Sequence, residues 1–168
     1  MNVPWSVIED YRCFGCSPHN PNGLQLDLAP HRDGLQATFR LERRFESYPG
    51  IVHGGLVGVI CDEVMGNLIV LTKRTPAFTV SARTRYITPL LIGSEYRCIA
   101  KLSRGDRELI HASSEILDSD DQVCASSTAS YQPFSMHDVR NKITLRDDEV
   151  AALTHAIANG VYVNGVPQ

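Results

Sequence analysis

Gly50-Ile51-Val52-His53-Gly54-Gly55, followed by Asp62-Glu63, is the stretch whose residue types and spacing could do chemistry. Two adjacent glycines at a helix start leave first-turn backbone N–H groups uncovered by any Cβ, and those groups have no partner within the helix. They form a cradle for an oxyanion. The partial positive charge of a helix N-terminus adds to it, so an acyl carbonyl placed there would be polarised as it turned tetrahedral. Asp62 puts a carboxylate in the middle of an apolar helix, where it costs free energy unless something compensates, which is the setting of a general base or nucleophile. Structural pairing with an arginine or lysine is the plainer alternative. Glu63 points about 100° away around the helix, toward a salt-bridge partner or a group that supports the site. His53 could act as a base, but a histidine at a helix entry also serves as a packed, hydrogen-bonded structural residue, and that role is the one favoured.

The elements that must position these residues follow from periodicity. Tyr48-Pro49-Gly50 is a stop signal, after which a helix is expected over about 54–72, apolar nearly all round and therefore buried on most sides. Upstream, 24–28 and 35–41 alternate apolar with polar and read as two strands joined through the turn residues Pro30 and Asp33-Gly34. Downstream, 78–88, 95–103, 108–117 and 123–131 read as four strands with short connections, which implies an antiparallel meander. The order β-β-α-β-β-β-β predicts an α+β fold in which an antiparallel sheet wraps one apolar helix. Beyond Pro133 a polar stretch leads to a short helix over 147–158, with Thr144 as its cap and Gly160 closing it. The chain thus divides into one domain over 1–133, with 1–23 as lead-in, and a C-terminal extension over 134–168.

Composition bounds the function. With 168 residues, a net charge of −3 and no basic stripe, the chain lacks the electrostatic footprint of a nucleic-acid binder, so a small-molecule or protein partner is expected. The most apolar run, 51–71, carries His53, Asp62, Glu63 and Asn67, which argues against a membrane span. The opening Met1-Asn2-Val3-Pro4-Trp5 does not read as a signal peptide, and a cytoplasmic location is expected. Five cysteines, an odd number, point to free thiols. Cys13-Phe14-Gly15-Cys16 with His19 invites a zinc reading, but a structural zinc needs four ligands and no second Cys/His pair has matching spacing. No metal and no cofactor are expected, and the Cys13–Cys16 loop is read as packing beside the first strand. Arg83, Arg85, Arg104 and Arg107 could grip phosphate through their guanidinium forks, with surface solubility as the bland alternative.

His53-Gly54-Gly55 with an acidic residue nine positions after the histidine, Asp62, resembles the signature of hotdog-fold thioesterases of the phenylacetyl-CoA and hydroxybenzoyl-CoA thioesterase type. The likeness runs from about Cys13 to Pro133 and includes Ala82-Arg83-Thr84-Arg85-Tyr86-Ile87-Thr88-Pro89-Leu90. It implies a hotdog fold and hydrolysis of an acyl-CoA, or an acyl carrier protein thioester, to acid and thiol. By the same resemblance Gly54, beside Gly55, supplies the oxyanion-hole N–H and Asp62 is base or nucleophile. Ser47 occupies the position six before the histidine, where several members carry a water-orienting amide, and Thr79 falls where some relatives keep a strand hydroxyl. Independently, Gly54 and Asp62 are eight residues apart, about 12 Å along a helix, too far for one thioester to touch both. If they serve one reaction centre, Asp62 must meet the glycine turn of a second copy, which implies a homodimer or a larger even assembly such as a tetramer. Two other functions fit the same fold: an acyl-thioester hydratase or dehydratase, which would use a histidine paired with a carboxylate, and a non-catalytic acyl-CoA-binding sensor, against which the presence of Asp62 speaks.

Overall fold

Burial alternates along the strands with a period of two, so one face of the sheet is apolar and needs a cover; the apolar helix is that cover. The computed structural model describes residues 3–103, 108–140 and 142–159. In chain order the elements are β1 (Asp27–His31), β2 (Gly34–Arg40), α1 (Gly54–Lys73), β3 (Ala77–Tyr86), β4 (Glu95–Leu102), β5 (Ile110–Leu117), β6 (Val123–Pro133) and α2 (Asp147–Asn159), with 3-10 turns at Pro4–Val7 and Arg43–Phe45. The strands form one antiparallel sheet in the order β1-β2-β4-β5-β6-β3. The expected α+β arrangement, a sheet curled round a central helix, is the one observed.

By length and composition α1 could cross a membrane, yet ten of its side chains, among them Ile60, Val64, Met65 and Leu68, are buried within the chain. The strands' buried positions under it are mostly small: Ala37, Cys98, Ala100, Ala112, Ala125 and Ala129, with Ser114 and Ser127. Small side chains let the helix lie close to the sheet. Truncating a fully buried side chain such as Leu68 to alanine would cost about 2–5 kcal/mol. His53 caps α1 at its N-terminus, and Arg74, at φ 53°, ends it in the left-handed conformation with its N–H on the Val70 carbonyl.

Four expectations need correction. The first strand is Asp27–His31 rather than 24–28, because the N–H groups of Leu24 and Leu26 donate to the carbonyls of Phe14 and Gly15 and Gln25 has φ 51°. Pro30 is not in the turn; it lies in β1, an edge strand, where a missing N–H costs no ladder bond. The four later strands are not a simple meander: β3 pairs with β6 at the far edge, and β4 pairs with β2. Between β3 and β4 the chain crosses the glycine end of α1, with Leu90 buried, its carbonyl accepting from Val52 N–H and Ile92 N–H donating to Gly50. At the start of α2 it is Arg146 that precedes the first helical residue, with its N–H donating to the Glu149 carboxylate, so Thr144, two residues earlier, is not the cap. Gly160 lies outside the described residues. Leu153, Ile157 and Met136 of the C-terminal extension join the same apolar cluster as α1.

One irregularity matters for the site. The β3–β6 register shifts between Thr79 and Ser81, so Val80 is an extra residue on β3. Before the bulge Thr79 faces α1; after it Thr84 and Tyr86 do, with Tyr86 reaching Gly54 and Thr84 near Gly58. Ser81, Arg83 and Arg85 alternate with these on the other face.

Candidate active site

Asp62 lies on α1 about two turns past the glycines, facing the start of β3 and the end of β6. Its Oδ1 accepts from Thr79 Oγ1 at 2.8 Å and from the Tyr131 hydroxyl at 2.9 Å. Thr79 and Tyr131 are partners across the β3–β6 ladder, so the sheet delivers both hydroxyls to one oxygen. Oδ2 has no partner among the described residues. Two donors on one oxygen fix the carboxylate's plane and leave the other oxygen for a water or an acyl carbon. Burial, and then the charge of Asp62, push the Tyr131 hydroxyl well above the ordinary tyrosine range, so it stays protonated as a donor.

A cavity of about 320 Å³ opens beside this group. Trp5, Val70, Pro76 and Ala77 give it apolar wall, and Asp62, Thr79 and Tyr131 line it with Glu63, Asn67 and Cys13. Glu63, next to Asp62, turns the other way round the helix. Asn67 Nδ2 donates to its Oε1 at 2.8 Å, the Cys13 thiol lies 3.3–3.4 Å from its two oxygens, and no cation pairs with it among the described residues. Burial, reinforced by Cys13, pushes its carboxyl up to about 7.

At the glycine end, His53 Nδ1 accepts the Gly55 N–H at 3.0 Å, the structural role favoured for His53. This corrects the expectation of two open N–H groups: the Gly55 donor is consumed by the cap. Gly54 N–H has no partner among the described residues, and it remains the donor for an oxyanion. Tyr86 donates to the Gly54 carbonyl at 3.0 Å, which ties this turn to β3. A Cβ on Gly54 would meet the Tyr86 ring at 3.6 Å, ordinary contact, so nothing within the chain demands glycine there.

Of the residues singled out from sequence, Asp62 and Thr79 are brought together, while His53, Gly54 and Gly55 form a second group at the helix start. Ser47 stays in its own exposed loop, where its N–H donates to the Ile51 carbonyl at 2.8 Å, and it reaches neither group within the chain. Arg83 and Arg85 are exposed on β3, with no acidic partner among the described residues, and border a shallow cavity with Ser126 and Thr128. Arg104 and Arg107 lie outside the described residues. Sequence reasoning missed Tyr131. It stood at an apolar position of a strand, and the available signal was that a buried tyrosine hydroxyl needs a partner.

Residues 49–125 match the family model described as Thioesterase superfamily. No curated protein sequence matches the chain. Among solved structures, a thioesterase superfamily protein is 25% identical with a TM-score of 0.67; the match covers 71% of this chain and 62% of that one, just under two thirds of the relative's length. A Streptococcus mutans protein whose structure is bound to acetyl-CoA is 17% identical, with a TM-score of 0.62 over 76% of this chain and 95% of that one. A hypothetical thioesterase of Streptococcus pneumoniae, solved with coenzyme A, is 17% identical, with a TM-score of 0.59 over 65% and 85%. At that distance the last two share the fold with this chain.

Proposed function

Since this chain has the hotdog fold and matches the thioesterase superfamily over residues 49–125, we propose that it is an acyl-CoA thioesterase, hydrolysing the thioester to a free acid and CoA. The observation that carries the reading is Asp62: a carboxylate held by two hydroxyls on Oδ1, with Oδ2 unengaged at the wall of a cavity lined by both apolar and polar side chains. As a base, Asp62 takes a proton from water while the water oxygen bonds to the thioester carbon. The carbonyl oxygen becomes an oxyanion on the Gly54 N–H at a helix N-terminus. Collapse breaks the C–S bond, and the proton on Asp62 passes to the departing sulfur. As a nucleophile, Asp62 would instead bond to the acyl carbon directly, and water would then cleave the anhydride. A single turnover in ¹⁸O-water separates the two, because only the nucleophilic route can leave the label in Asp62.

The Gly54 and Asp62 of one catalytic centre come from different chains in this reading, because about 12 Å of helix separates them within one. The exposed edge supports it: β3 carries Phe78, Val80 and Tyr86 at 46%, 55% and 59% exposure, and an uncovered apolar edge strand is a template for pairing with a second copy. Arg83 and Arg85, on the opposite face of β3 from Thr84, are the cations proposed to meet the phosphates of CoA. A cytoplasmic setting is proposed with it, in keeping with five cysteines that are all free thiols. The testing experiment is a screen of aliphatic and aromatic acyl-CoAs, with release of free CoA thiol as readout. Turnover of at least one of them, abolished in Asp62→Asn, is expected; no thiol release from any by a folded, dimeric protein would overturn the proposal.

A further inference from the structure

Glu63 is not needed for the hydrolysis above, yet the fold brings it to the two cysteines of the N-terminal loop. Cys13 Sγ, Cys16 Sγ and a Glu63 carboxylate oxygen all lie within 4.8 Å of one another, although Cys13 and Glu63 are 50 residues apart in the chain. The Cys13 Sγ to Glu63 Oε distances are 3.3 and 3.4 Å. In a tetrahedral site with zinc–sulfur bonds of about 2.3 Å and zinc–oxygen bonds of about 2.0 Å, adjacent sulfur and oxygen ligands stand about 3.5 Å apart. The loop is seated this closely because residue 15 is glycine: a Cβ there would fall 2.4 Å from Glu63 Oε2.

The neighbours of the three groups are those that metal ligands need. The Gly15 N–H donates to Cys13 Sγ at 3.3 Å, and the Tyr11 hydroxyl meets Cys16 Sγ at 3.0 Å, so each sulfur has a polar hydrogen suited to a thiolate. Asn67 Nδ2 orients the Glu63 carboxylate at 2.8 Å. A separate observation points to a ligand at this place. Asn67 is 4% exposed, lines the same cavity as Cys13 and Glu63, and its Oδ1 is buried with no hydrogen-bond partner among the described residues. A buried carbonyl oxygen left unpaired is costly, and a water held on a cation would satisfy it.

We propose that Cys13, Cys16 and Glu63 bind one zinc ion, with a water or other exogenous ligand in the fourth position on the cavity side, hydrogen-bonded to Asn67 Oδ1. Two thiolates and a carboxylate suit zinc in preference to magnesium or calcium, which take oxygen ligands. In the sequence no second Cys/His pair completes a four-ligand site; here the third ligand comes from the central helix and the fourth position is open. The ion would staple the N-terminal loop to α1 beside Asp62, and this holds whether or not the chain hydrolyses thioesters.

The test uses the whole chain, reduced with a phosphine, its five thiols verified, and titrated with cobalt(II) and then zinc. The expected result is a thiolate-to-cobalt charge-transfer band that saturates at one ion per chain and is displaced by zinc. Glu63→Gln and Cys16→Ser should weaken binding by at least about a hundredfold, and Asn67→Ala by about 10- to 100-fold. No charge-transfer band in the reduced wild-type protein would overturn the site, and this measurement needs no variant to fold. Affinity unchanged in a folded Glu63→Gln protein would also overturn it, by leaving binding to the cysteines alone, and affinity unchanged in a folded Asn67→Ala protein would overturn the place given to Asn67 Oδ1.

Discussion

Thr79 and Tyr86 stand seven residues apart on one strand, an odd separation, yet both reach α1: Thr79 Oγ1 lies 2.8 Å from Asp62 Oδ1 and the Tyr86 hydroxyl 3.0 Å from the Gly54 carbonyl oxygen. Strict alternation would send one of them to the outer face. The extra residue at Val80 resets the phase, so a single strand supports both the carboxylate and the glycine turn. Deleting Val80 should therefore break one of the two contacts. The expected outcome is a folded protein with thioesterase turnover reduced at least about tenfold, read with the best substrate from the screen. Wild-type turnover in the deletion variant would mean that the bulge does not serve the site.

The two hydroxyls on Asp62 Oδ1 should matter separately. Tyr131→Phe and Thr79→Ala each leave the carboxylate one donor, and turnover is expected to fall about tenfold in each with little change in KM, because the lost contact orients the reacting group rather than binding substrate. Thr79→Ser keeps a hydroxyl and should restore most of the activity. A rise in KM with kcat unchanged would assign these residues to substrate binding instead.

Much of this arrangement was legible in the sequence, and the parts that were not share a cause. A local signal marked the glycine turn, the helix after it and Asp62 within it: helix-start residues, then an apolar run interrupted by Asp62, Glu63 and Asn67. What the sequence could not carry were contacts set by the sheet's return path. Tyr131 reads as one more apolar strand position until β6 is paired with β3. The 24–28 segment alternates like a strand, but the N–H groups of Leu24 and Leu26 are already committed to the N-terminal loop. Glu63 and Cys13, 50 residues apart, meet only because that loop folds back on the central helix.

Neighbouring carboxylates on α1 should differ in their effect on catalysis. Asp62→Asn is expected to lower turnover by at least about a hundredfold with the fold intact, the scale of losing a positioned base or nucleophile. Glu63→Gln, whose side chain faces Cys13 and Asn67, should do less harm. The reverse order would assign the reaction to Glu63.

Glu46 makes a pH-dependent contribution to the loop that leads into His53. Its carboxylate accepts from the Gly50 N–H at 3.1 Å and from Arg43 Nε at 3.0 Å, and these bonds, the first foremost, hold its pKa below the usual 4.5. A folded-state pKa below the unfolded value stabilises the protein above about pH 4.5, and that contribution is lost as pH falls through the folded value. The Tm difference between wild type and Glu46→Gln should be constant at neutral pH and shrink on acidification below about 4.5. A difference that stays flat into that range would mean that the carboxylate's charge does not hold the loop.

Mixing two inactive variants tests the proposed reaction centre, built from Asp62 of one chain and Gly54 of another. One carries Asp62→Asn; the other carries Gly54→Val, whose Cβ would meet the Tyr86 ring at 3.6 Å, an ordinary contact. In a mixed dimer one site pairs the intact Asp62 with the intact Gly54, and the other receives both lesions. After subunit exchange, thioesterase activity should climb from near zero toward about a quarter of wild type per chain, since about half of randomly paired dimers are mixed and each holds one good site. No recovery, with exchange demonstrated and Gly54→Val shown to be folded, would contradict the shared centre.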